Sequence, residues 1–152
     1  MRIPTPKMFS WFAVIVWMAI IFYLSAQVAD TSNQLSSGIT EVIVRLIEKV
    51  STKLDLSNFN FFVRKTAHFT AYMVLGILVI HAMRNSTGIT YRSIVISLSI
   101  CILYAISDEL HQMFVPGRGP AVWDVCIDSA GAIVGIGLYF ILWRITKKSY
   151  FR

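Results

Sequence analysis

Four long apolar blocks, separated by short polar segments, set the first constraint on how this chain folds. Phe9–Ser25 and Ser93–Ser107 carry no charge, Ala67–Met83 is broken only by His68 and His81 among its ionisable groups of physiological range, and Val122–Trp143 only by Asp124 and Asp128. A helix needs about 20 mostly apolar residues to cross the hydrocarbon core of a bilayer. A soluble domain would carry roughly 25% charged residues; here the figure is 14% of 152, against 56% hydrophobic. The blocks therefore read as membrane spans, and the fold class as an all-α membrane protein with four transmembrane helices. The length suits one transmembrane domain over 1–152 and no second domain.

The spans are expected at about 9–26, 64–83, 93–113 and 122–143. The first follows Arg2 and Lys7 and exceeds the roughly 7–15 residues of a signal-peptide core, so it is read as retained. The uncharged part of the third, Ser93–Ser107, is too short to cross, which places Asp108, Glu109 and His111 in its last turns. Asn85-Ser86-Thr87-Gly88 and Pro116-Gly117-Arg118-Gly119-Pro120 read as turns. Gly131 and Gly135 form a GxxxG in the fourth span, a pattern that lets a neighbouring helix approach closely.

Between the first two spans, Ile39, Val42, Ile43, Leu46, Ile47 and Val50 recur at helical spacing, with Glu41, Arg45, Glu48 and Lys49 opposite. Ser36 and Ser37 offer N-caps. This predicts an amphipathic helix over about 38–51, lying at the membrane interface. Cys101 and Cys126 lie within apolar blocks without CxxC spacing, and are expected to be small buried thiols.

The net charge of +6 comes from dispersed basic residues that mostly flank the spans. Nucleic-acid binders gather such residues into a stripe, so that class is excluded. With four spans, Arg2, Lys7, Arg84, Arg92, Arg144, Lys147, Lys148 and Arg152 share one side, and no acidic residue joins them. The positive-inside rule makes that side cytoplasmic, with both termini inside a multi-pass cell-membrane protein.

The remaining ionisable residues then gather at the outer ends of three spans. Arg64, His68 and Tyr72 lie at i, i+4, i+8 on one helix face. Asp108, Glu109, His111 and Gln112 end the third span, Asp124 and Asp128 begin the fourth at i, i+4, and Arg118 lies between. A charge at the centre of a span costs roughly 2.5–3.5 kcal/mol on insertion scales, so ionisable residues within spans default to functional candidates. Lys65 and His81, taken singly, read as ordinary interface residues.

The expected site has a cationic half (Arg64, Arg118, His68) and an acidic half (Glu109, Asp124, Asp128). Arg64 and Arg118 suit an anionic group, and Glu109, Asp124 and His68 are the candidates for acid–base catalysis. Tyr72, Asp108, Gln112 and Asp128 join them as candidate ligand-binding residues. His68, His111, Glu109 and the aspartates are metal-ligating types, but no HExxH or comparable spacing is present and no metal is assigned. No cofactor follows from these residues. There is no GxSxG or Walker motif, and no cysteine is paired with a base. Binding and catalysis both stay open.

Arg64-Lys65-Thr66-Ala67-His68-Phe69 with Tyr72, then Asp108-Glu109-Leu110-His111-Gln112-Met113-Phe114-Val115-Pro116-Gly117-Arg118, then Asp124, Asp128 and Gly131, resemble the VanZ family. Its pattern is similar to RKxxHF…Y, DExxQxFxPGR and D…(N or D)…G. The resemblance covers Arg64 to Gly135, and Phe22-Tyr23-Leu24-Ser25 is also family-like. Many relatives carry Asn where this chain has Asp128, a difference that alters site charge. The resemblance implies a role on the envelope side of the membrane, because the family's name member lowers susceptibility to the lipoglycopeptide teicoplanin. It implies membrane lipids, a lipophilic glycopeptide or a lipid-linked envelope precursor as partners. Nothing in these residues supports the phosphotransbutyrylase label sometimes attached to the family. A hydrolase or transferase for a lipid-linked precursor, or a non-catalytic accessory subunit, are the alternatives.

Overall fold

The structure is a computed structural model and describes residues 6–27, 38, 56–116 and 121–149. Among these, four helices follow in order: α1 (Pro6–Ser25), α2 (Leu56–Thr87), α3 (Tyr91–Gln112) and α4 (Val122–Ser149). All four are long and apolar enough to cross a membrane, over Pro6–Ser25, Phe62–Thr87, Tyr91–Gln112 and Val122–Lys147. The described residues include no strand. The amphipathic helix expected over about 38–51 lies, apart from Gly38, outside the described residues, as does Arg118.

The helix ends follow local chemistry. α2 stops at Gly88, whose φ of +79° lies in the left-handed region that costs glycine nothing. Its N–H bonds back to the Arg84 carbonyl at 3.0 Å. Two residues later Thr90 starts α3 through a capping box with Ser93. The resulting tight connection leaves α2 and α3 antiparallel neighbours.

α2 is the central helix and packs against the other three, with its largest interface on α4. That interface is a contact of backbone against backbone. A Cβ on Gly131 would collide with the Phe69 carbonyl oxygen, and one on Gly135 with that of Met73. On the facing helix, a Cβ on Gly76 would stand 2.6 Å from the Ala132 carbonyl oxygen. The GxxxG of α4 is thus used within the bundle, extended by Gly76 of α2.

Around this seam, Val14, Ile21, Tyr72, Leu75, Val79, Ala82, Cys101, Ala105 and Ala132 form the buried core. Large side chains such as Phe12, Ile15, Leu103, Leu142 and Ile145 point outward, the reverse of a soluble bundle and the arrangement a lipid solvent permits. Cys101 is buried as expected, but Cys126 is exposed. An apolar span has a lipid face as well as a core face, and hydrophobicity alone does not tell them apart.

α1 is tied on by side-chain hydrogen bonds along its length. Trp17 Nε1 donates to the Ala71 carbonyl at 2.9 Å, and the Tyr104 hydroxyl to that of Met18 at 2.6 Å. At one end of the bundle, Asn85 Nδ2 donates to Ser10 Oγ at 2.7 Å and contacts His81 Nε2 at 3.1 Å. His81 Nδ1 in turn shares a hydrogen bond with the Tyr139 hydroxyl at 2.9 Å. His81 is therefore part of a network joining α1, α2 and α4, rather than a solitary interface residue. The same end carries Lys7, Arg84, Arg92, Arg144 and Lys147.

Candidate functional site

At the opposite end, α2, α3 and α4 bring together ionisable side chains that the chain separates by up to 60 residues. His68 stands two turns inside the α2 span, Asp108 one turn before the end of α3, and Asp128 in the second turn of α4. At 1.5 Å per residue, each is roughly 6–9 Å inside the end of its membrane span. One ligating atom from each lies within 4.8 Å of the others. His68 Nδ1 and Asp128 Oδ1 are 3.5 Å apart. Asp108, Asp128 and the phenol of Tyr72 are buried.

A second layer holds this centre in place. Gln112 Nε2 donates to Ser25 Oγ at 2.5 Å and to Asp108 Oδ2 at 3.2 Å, which links α1 to α3 and orients Asp108. Glu109 accepts a hydrogen bond from the backbone N–H of Ala121, just before α4 begins. Its carboxylate thus stands at a helix N-terminus, where unsatisfied N–H groups and the helix dipole favour negative charge. Asp124, in the first turn of α4, is ion-paired with Lys65 of α2.

Of the residues singled out from sequence, His68, Tyr72, Asp108, Gln112 and Asp128 form the centre. Glu109 and Asp124 stand beside it in contacts that tie helices together. Arg64 is half-buried at the same end, one turn before His68. Two participants were missed. Lys65, set aside as an interface residue, carries the pair to Asp124; the doubly basic Arg64-Lys65 facing an acidic span was the available signal. Ser25 carried only the weak signal of the family-like Phe22-Tyr23-Leu24-Ser25, and its role shows once Gln112 is found against it.

The Lys65–Asp124 pair makes a stability prediction. Both side chains keep 11–15% exposure, so breaking the pair costs less than the roughly 3–5 kcal/mol of a fully buried one. Lys65→Met is expected to lower stability by about 2 kcal/mol. Adding Asp124→Asn should restore much of the loss, because the stranded charge is then gone. Thermal unfolding of the three variants in detergent checks this.

The two ends of the bundle differ in kind. At the Asn85 end the polar side chains satisfy one another. At the Asp108 end, among the described residues, the Tyr72 hydroxyl, Asp108 Oδ1, Asp128 Oδ1 and His111 Nδ1 are buried without a hydrogen-bond partner. Beside this centre, an apolar groove of about 340 Å³ runs between α1 and α2, lined by Trp17, Ile21, Leu24, Ala67, Ala71 and Val74 among others. Buried polar groups in proteins are normally paired, and these are the exceptions among the described residues.

The fold and this centre define a class: a four-helix membrane protein with a polar site at one end of its bundle. A sequence profile of the VanZ/LLP1 family matches residues 9–143, nearly the whole chain, and the protein belongs to that family. No curated protein and no solved structure matches the chain.

Proposed function

We propose that this protein acts at the outer face of the cytoplasmic membrane on an amphiphilic ligand of the cell envelope. The polar centre of α2, α3 and α4 would take the head group, and the groove between α1 and α2 the lipid chain. The observation that carries this reading is their juxtaposition. Ala67, in the groove wall, directly precedes His68, and Leu24, in the opposite wall, directly precedes Ser25. A ligand with one polar and one apolar end fits both at once, while a wholly polar solute leaves the groove unused.

The orientation rests on charge. The described basic residues at the Asn85 end have no acidic companions among the described residues there, and the positive-inside rule assigns such an end to the cytoplasm. A cysteine placed at Phe114, in a chain with Cys101 and Cys126 replaced by serine, should then react with an impermeant maleimide added outside intact cells. One placed at Thr87 should not.

Family membership supports a lipoglycopeptide such as teicoplanin as the amphiphile to try first. Expression in a Gram-positive host is expected to lower teicoplanin susceptibility. Arg64→Ala, Glu109→Gln and Asp124→Asn should each remove that protection at equal membrane abundance. Unchanged protection in all three variants defeats the reading.

A catalytic version has its own support. An imidazole between two carboxylates is an acid–base arrangement, suited to hydrolysis or transfer on a lipid-linked envelope precursor. Turnover of such a lipid by the purified protein, lost in His68→Gln, distinguishes catalysis from binding.

A further inference from the structure

We propose that His68, Asp108 and Asp128 bind one divalent transition-metal ion of the zinc class, held within the membrane between α2, α3 and α4. This deepens the reading above by giving the site a cofactor, and rests on that reading only for what the ion would act upon.

The donor set comes first. An imidazole nitrogen and two carboxylate oxygens, one from each of three helices, can all be chosen within 4.8 Å of one another. Zinc binds such atoms at about 2.0–2.1 Å, which puts two ligands on a tetrahedral ion roughly 3.3 Å apart. The His68 Nδ1 to Asp128 Oδ1 distance of 3.5 Å is already at that spacing. The Asp108 carboxylate oxygen lies within 4.8 Å of both.

Burial supplies the second, independent observation. Asp108 is 2% exposed and Asp128 3%. Asp108 Oδ1 has no hydrogen-bond partner among the described residues, and neither has the hydroxyl of the fully buried Tyr72. Tyr72 stands one helical turn from His68 on the same face of α2. Two carboxylates facing one imidazole leave excess negative charge in a low-dielectric site. A bare charge there is costly, and a divalent ion cancels it while satisfying the open oxygens. Lys65, at the same end, is engaged with Asp124.

The ligand types choose among metals. Calcium and magnesium take six or more oxygen ligands or keep most of their waters, whereas imidazole with carboxylates suits zinc and its first-row neighbours. Three protein ligands leave a fourth position open, the arrangement of catalytic rather than structural zinc sites. An oxygen of the amphiphile's head group, or a water, would fill it, with the Tyr72 hydroxyl as the free hydrogen-bond partner nearby.

The test uses the full-length protein in detergent, stripped with a chelator and titrated with ZnCl2 by calorimetry. One ion per chain is expected, with a rise in the thermal transition temperature. Co2+ in the same site should give the visible ligand-field absorption of a four- or five-coordinate ion. His68→Gln, Asp108→Asn and Asp128→Asn should each weaken binding on the order of 100-fold or more and abolish the absorption. His111→Gln should change neither, although His111 is at the same end, because its ring packs against Phe22 instead. Each variant's own thermal transition shows that it is folded.

A folded wild-type protein that binds no ion overturns the inference. So does binding that survives the three ligand substitutions or is lost equally in His111→Gln. The two readings fail separately. Loss of the teicoplanin phenotype in Asp108→Asn without any metal binding removes the ion and keeps the amphiphile site. Metal binding with an unchanged phenotype does the reverse.

Discussion

Replacing Gly135 with leucine is expected to abolish the folded bundle, seen as loss of the monodisperse peak and of a cooperative thermal transition in detergent. Even one added carbon at this position would lie against the Met73 carbonyl oxygen, which is backbone and cannot swing aside. Relief requires α2 and α4 to separate along the largest interface in the bundle. Overpacking a core typically costs 1–3 kcal/mol where side chains can adjust; with rigid backbone on both sides, about 3 kcal/mol or more is expected. Gly131→Leu should behave alike, since its Cβ meets the Phe69 carbonyl. Gly137→Ala is the control. Nothing lies within 4 Å of a Cβ there, and the gain in helix propensity should leave the protein unchanged or stabilised by roughly 0.5–1 kcal/mol. A Gly135→Leu protein as stable as wild type would mean that α2 and α4 do not pack in this register.

Asp108→Asn is expected to remove function while sparing, or raising, stability. The substitution keeps the size of the side chain and takes away a buried charge whose Oδ1 is unpartnered among the described residues. Gln112 bonds Oδ2, a contact that the amide oxygen of Asn can keep, so removing the charge relieves its desolvation cost without stranding a partner. A ligand site and interhelical glue therefore predict opposite results. If the cluster serves binding, the metal-stripped variant unfolds at or above the wild-type temperature and loses the teicoplanin phenotype at equal abundance. If the cluster only holds helices together, as in an accessory subunit, the same variant unfolds earlier. The Asn85 end supplies the comparison, because its side chains are bonded to one another and truncation there should cost stability.

Much of the fold was legible because bilayer physics is strict. An uncharged block such as Phe9–Ser25 or Ser93–Ser107 admits few fates, and Asn85-Ser86-Thr87-Gly88 reads as a turn by local chemistry alone. The site was legible in outline for a related reason: Asp108 and Asp128 are costly within a span and so stand out against their neighbours. What did not show was which acid meets which base. Glu109 and Asp124 looked as exposed to a ligand as Asp108 and Asp128 did, yet Glu109 bonds the Ala121 N–H and Asp124 pairs with Lys65. The exposed side of Cys126 was hidden likewise, because an apolar stretch reads the same whether it faces lipid or protein.

By itself, then, the sequence determined four spans, a small-residue seam in the fourth, and a concentration of ionisable residues at the ends of three helices. Each of these follows from the cost of moving one residue or one segment from water into lipid, a quantity that depends on the chain alone. Only the tertiary structure decided that Gly131 and Gly135 meet α2, with Gly76 completing the seam, and that His68, Asp108 and Asp128 converge while Lys65 goes to Asp124. Those choices depend on the rotation and register of packed helices, set by contacts between residues far apart in the chain. The spacing of the proposed metal ligands, absent from any one helix, arises in this way, from three helices that each supply a single side chain.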